Sequence, residues 1–269
     1  MLEIFTYEFI GRAMIAGVAT AITAAIVGNF IVAARQAMIS DMLAHAALAG
    51  VGLGMFLGVS PGFFAGVIAI MSSIFLWFLT RRSGRAPDAV SMLLLTGGLA
   101  IALLFSHMAK DTSVSFESFL FGSILTISSH ELMYFVAVCT FIVAVFLVLW
   151  RPFLVSVFDP QFARVQSHNA AFYETVLLMS TGALVAVALK VIGGLLVGAL
   201  LIIPILAAQN ITSSFRTNVL WSIIYGIVGV VAGITASFYL DIPASSGIVL
   251  SLITLFSLTH FYKKISSSL

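Results

Sequence analysis

The chain has 269 residues, of which 61% are hydrophobic and only 8% charged, whereas soluble domains carry about 25% charged residues. This composition excludes a soluble globular enzyme, and the long unbroken apolar runs exclude a β-barrel, whose strands alternate. A net charge of +2 with no basic tail leaves no footprint for nucleic acid.

The expected fold is therefore all-α, a polytopic helical membrane protein forming a single transmembrane domain over residues 1–269. The first stretch, MLEIFTYEFIGR, carries Glu3 and Glu8 where a cleavable signal would carry basic residues, so no signal peptide is expected. Apolar runs of about 17–25 residues, the length that spans a ~30 Å core, then follow in order. They are Gly11–Ala34, Met38–Leu57, Gly62–Thr80, Val90–Ala109, Leu132–Trp150, Glu174–Lys190, Gly193–Ala208, Val219–Leu240 and Gly247–Tyr262. That makes about nine spans. Eight or ten stay open, because Phe119–Ser128 is apolar but too short to cross and reads as an interfacial or re-entrant helix.

Lys and Arg accumulate in cytoplasmic loops. Alternate loops hold Arg35; Arg81, Arg82 and Arg85; Arg151 and Arg164; Arg216; and Lys263 and Lys264, nine of the twelve basic residues. Arg12, Lys110 and Lys190 lie on the other side. The N-terminus is thus expected outside and the C-terminus in the cytoplasm. The polar segment at about 153–173 becomes cytoplasmic, and within it Asp159-Pro160 reads as a helix start, aspartate as N-cap and proline at the first helical position.

The second run carries the chemistry. Asp41 and His45 stand four residues apart and share one helix face. An ionisable residue within a span costs about 2.5–3.5 kcal/mol by insertion scales, and carboxylate plus imidazole is a plausible half of a divalent-metal shell. The pair reads as lining a metal path; the competing reading is a hydrogen-bonded pair locking two helices. Two ligands do not complete a shell, so a second copy across a two-fold axis or water would supply the rest.

His107, Asp111 and Glu117, with His130 and Glu131, fall on the outer side, either as a cation-concentrating mouth or as solvated loop residues. Gly50/Gly54/Gly58, Gly62/Gly66, Gly194/Gly198 and Gly229/Gly233 have the spacing of close helix packing. Pro204 reads as a kink that frees a carbonyl. The single cysteine, Cys139, permits no intrachain disulfide. No G-x-x-x-x-G-K-[ST] phosphate loop occurs, so ATP-driven work would need another polypeptide.

MISDMLAHAALAGVGLG, FDPQFARVQ and KVIGGLLVGALLIIPILAA together resemble the metal-ion ABC transporter permeases, the family that imports zinc, manganese or iron(II). The resemblance spans Gly11 to Tyr262. It implies a membrane-spanning, non-enzymatic permease subunit, working as a homodimer in the bacterial cytoplasmic membrane. It also implies an ATP-binding cassette ATPase on the cytoplasmic face and an extracytoplasmic solute-binding protein that delivers the metal. No cofactor is permanently bound; the metal is cargo, and ATP acts through the partner. Asp41 and His45 would lie on the metal path, and Asp159, Pro160, Phe162, Ala163, Arg164 and Val165 would form the helix that couples to the ATPase. On spacing alone, Phe162 and Val165 share a face, joined by Phe158 if the helix extends back that far. A proton-coupled secondary transporter with Asp41 as proton carrier is the rival. An intramembrane enzyme finds no H-E-x-x-H motif.

Overall fold

The computed structural model describes residues 8–83, 87–109, 115–122, 128–165 and 170–266. Among these there are twelve helices and no strand. They are α1 (Glu8–Ala33), α2 (Met38–Phe56), α3 (Pro61–Ser83), α4 (Pro87–Met108), α5 (Phe116–Phe121), α6 (Ser129–Val148), α7 (Trp150–Phe158), α8 (Pro160–Val165), α9 (Ala170–Ile192), α10 (Gly194–Gln209), α11 (Phe215–Leu240) and α12 (Ala244–Ser266).

Each of the nine apolar runs falls on one helix, and eight of those helices are long and apolar enough to cross a membrane. The other is α10, with 16 residues, about 24 Å at 1.5 Å per residue. It is short because the backbone breaks at Gly193, where φ is +92°. There the end of α5 crosses the α9–α10 junction. A Cβ on Gly193 would lie 2.4 Å from the carbonyl carbon of Phe121, and one on Gly122, itself at φ +78°, would lie 2.4 Å from that of Ile192. Only two glycines allow backbones this close. The short apolar piece at Phe119–Ser128 is thus partly α5, with Phe119 buried; residues 123–127 lie outside the described residues.

α2 is the centre of the bundle. Of its most apolar stretch 78% is buried, against 22% for α3, α4 and α6, and it packs against α3, α4, α5, α9 and α10. Its buried side is built from Ala44, Ala46, Ala47, Ala49, Gly50 and Gly52, so neighbouring backbones approach closely. Gly58 behaves differently from Gly50 and Gly54. It adopts φ +65° after the last turn of α2, with Val59 N–H donating to Gly54 O (3.0 Å) and Gly58 N–H to Met55 O (3.2 Å). That is a Schellman cap, and no neighbour lies within 4 Å of a Cβ built there. Gly62 is likewise open, so its expected packing role is not seen among the described residues.

One end of the bundle is closed by aromatic rings. Phe30 of α1 meets Phe146, Trp150, Phe153 and Phe215 at centroid distances of 5.1–5.6 Å, and Phe146 stacks on Phe153 at 4.6 Å. Phe153, the first residue of the expected cytoplasmic excursion at 153–173, is 1% exposed and belongs to the core. Its ring also meets Tyr173 at 5.9 Å, so the two ends of that segment are tied together. At the other end Glu131 caps α6 through a reciprocal box with Ser128 and pairs with Lys190 of α9.

Buried polar groups are mostly answered locally. The hydroxyls of Thr20, Ser73 and Thr181 donate to carbonyls one turn back at 2.8–2.9 Å. Between α1 and α11, Asn218 Nδ2 donates to Asn29 Oδ1 (2.6 Å), and Asn29 Nδ2 donates to Ser222 Oγ (3.2 Å) and Ala25 O (2.7 Å). Thr212 Oγ1 then donates to Asn218 Oδ1 (2.9 Å), closing the network.

Candidate metal site and coupling helix

Asp41 lies in the first turn of α2 and His45 one turn further. A carboxylate there is favoured by the partial positive charge of the helix N-terminus. Both side chains face a cavity of about 360 Å³ between α2 and α10, whose walls include Ala44, Leu48, Gly194 and Gly198. Asp41 is exposed and His45 is half-buried. The Nδ1 atom of His45 is itself buried and has no hydrogen-bond partner, although a buried polar nitrogen normally finds one. Gln36 Oε1 and Ser91 Oγ share that condition, but neither lines this cavity. Ser40 next door is buried, and its hydroxyl donates to Ala37 O at 2.9 Å.

The cavity combines an exposed carboxylate oxygen with an unanswered imidazole nitrogen, which is the chemistry of borderline divalent-cation binding. Among the described residues there is no group of three or more His, Cys, Asp and Glu placed to hold a metal. Asp41 and His45 are the two such side chains that line this cavity among the described residues. Pro204 sits buried within α10 and has no N–H for the Leu200 carbonyl one turn earlier.

Among the described residues the outer-mouth candidates form no group of three or more His, Cys, Asp and Glu. His107 is exposed at the end of α4 and Glu117 is exposed in the first turn of α5; Asp111 lies outside the described residues. Glu131 is engaged in its cap and ion pair.

The second candidate element is α8. Asp159 Oδ1 accepts the N–H of Phe162 at 2.9 Å, as an N-cap with proline at the first helical position does. Ala163 is fully buried against the body, whereas Phe162 is 50% exposed. Arg164 and Val165 complete the helix. Phe158 does not extend it. Asp159 adopts φ −140°, ψ 79° and ends α7, so Phe158 belongs to that helix and its ring meets Phe215 at 5.5 Å. Phe158, whose place on this face depended on the helix extending back, is therefore not part of α8.

The Gly194/Gly198 spacing indicates close packing without saying against what; at Gly198 the neighbour is the Asp41 carboxylate.

The family model described as "ABC 3 transport family" matches residues 6–263. The chain is similar to the manganese transport system membrane protein MntC of Halalkalibacterium halodurans, 26% identical over 97% of this chain and 89% of that protein. It is similar also to the high-affinity zinc uptake system membrane protein ZnuB of Haemophilus influenzae, 25% identical over 96% of this chain and 99% of that one. Among solved structures, PsaBC from Streptococcus pneumoniae in complex with Fab superposes with a TM-score of 0.84 at 24% identity, covering 97% of this chain and 96% of that one. The last likeness is one of fold.

Proposed function

This chain belongs to the ABC 3 transport family, and from that premise we propose that it is the permease subunit of an ATP-driven importer of divalent metal, zinc or manganese. The observation that carries the reading is the α2–α10 cavity, where Asp41 and the unpartnered Nδ1 of His45 face a space large enough for a cation and several waters. Zinc and manganese transport are what the printed names of the similar proteins state. Both metals accept carboxylate and imidazole, so this donor pair suits either.

An exposed carboxylate on a span is costly against hydrocarbon, which supports covering the cavity mouth with a second copy of the chain. A symmetric pair brings two aspartates and two histidines to one axis, completing a four-ligand shell. The chain sits in a bacterial cytoplasmic membrane, with the aromatic, arginine-bearing end in the cytoplasm. There α8 presents Phe162 to a groove of the ATPase, a helix-in-groove contact. An extracytoplasmic binding protein delivers the metal at the opposite end. ATP binding and hydrolysis then tilt the bundle so that the Asp41–His45 cavity opens alternately to the two sides.

The test is reconstitution of the chain in vesicles with and without its ATPase, following uptake of zinc and manganese. Uptake is expected only with the ATPase and ATP present. Uptake by the chain alone, driven by a pH gradient, overturns the reading in favour of a secondary transporter.

A further inference from the structure

Resting on the reading that Asp41 and His45 hold the transported cation, we propose that Gly198 of α10 is the positioning residue for the Asp41 carboxylate. A Cβ built on Gly198 would lie 2.1 Å from Asp41 Oδ1, and 3.9 Å from Ser40 Oγ. The carboxylate oxygen therefore fills the volume that any side chain at position 198 would take. With a methyl group there, the oxygen must move by roughly 1 Å or more to reach van der Waals contact. Metal–ligand bonds tolerate only about 0.2 Å.

Both helices are held by backbone contacts close to the pair. On α10, a Cβ on Gly28 of α1 would lie 2.2 Å from Leu201 O, so the two backbones already touch less than one turn from Gly198. The start of α10 is pinned by the Gly122–Gly193 crossing. On α2, Gly98 of α4 lies against the His45 carbonyl, its Cβ position 3.0 Å from that oxygen. With both backbones so held, a methyl at 198 is relieved by rotating the exposed Asp41 side chain. That rotation takes one ligand away from the geometry it shares with His45 Nδ1.

The experiment measures Zn²⁺ and Mn²⁺ binding to the full-length chain in its complex with the ATPase. Gly198→Ala is expected to weaken both metals about 10–100-fold, the range seen when a group that orients a ligand is lost, with assembly unchanged. Gly52→Ala is the packing control, because its Cβ would lie 2.6 Å from Ala102 O on α4 and touches no ligand; it is expected to keep wild-type affinity. Thermal stability closes a double-mutant cycle. Once Asp41→Ala has vacated the space, adding Gly198→Ala is expected to cost nothing further. Should Gly198→Ala fail to assemble, restoration of assembly by Asp41→Ala supports the proposal and its absence overturns it. Wild-type affinity in Gly198→Ala, or an equal loss in Gly52→Ala, overturns the positioning role while the metal site stands. Wild-type affinity in Asp41→Ala removes the underlying reading itself.

Discussion

Two polar regions of this bundle differ in one respect. Between α1 and α11, each side-chain amide of Asn29 and Asn218 is engaged, with Ser222, Thr212 and the Ala25 carbonyl completing the set. Between α2 and α10, Asp41 faces a cavity and His45 Nδ1 has no partner. A satisfied network in a low-dielectric interior stabilises and fixes geometry, whereas an unanswered atom costs desolvation with no return inside the chain. The first region is architecture. The second leaves donors open, as the proposed metal path needs. The same contrast recurs at α8, where the Asp159 carboxylate is occupied by the Phe162 N–H while the Phe162 ring stands half exposed.

The largest expected effect tests the unanswered pair. Asp41→Ala or His45→Ala should abolish zinc and manganese uptake in whole cells while expression and assembly stay at wild-type levels. Normal uptake by both would dissolve the contrast, and joint loss of uptake and assembly would make the pair architectural after all.

Phe162→Asp comes next. A charge buried at the ATPase contact without a partner is costly, so pull-down of the ATPase and its metal-stimulated hydrolysis should fall sharply while metal affinity at Asp41 and His45 holds. Unchanged pull-down and hydrolysis would place the contact elsewhere.

Asn218→Ala probes the satisfied network. It leaves Asn29 Oδ1 without its donor and should cost about 1–3 kcal/mol of stability, read as a lowered unfolding midpoint in detergent. Transport per folded molecule should be retained, the reverse of the Asp41 result. The smallest effect belongs to Asp159→Ala, which removes an exposed N-cap worth about 1 kcal/mol. Amide exchange at Phe162 should speed up, with only a partial loss of ATPase association; complete loss would mean that the carboxylate itself contacts the partner.

What the sequence determined by itself is what depends on local chemistry. Hydrophobic run length located the nine apolar stretches, because a bilayer demands a set length of apolar chain. Asp41 and His45 were legible because charge within a span is expensive enough to be conspicuous. Asp159-Pro160 was legible because a cap and its helix lie within four residues of each other. The tertiary structure alone decided everything that depends on two distant backbones meeting. It shortened α10 through the Gly122–Gly193 crossing, set the Asp41 carboxylate on Gly198, and drew Phe153 into the ring cluster around Phe30. It also assigned Gly58 to a cap while Gly50 and Gly54 pack. Glycine spacing announces a close approach, but the partner is chosen by the path of the whole chain, and no local pattern encodes that path.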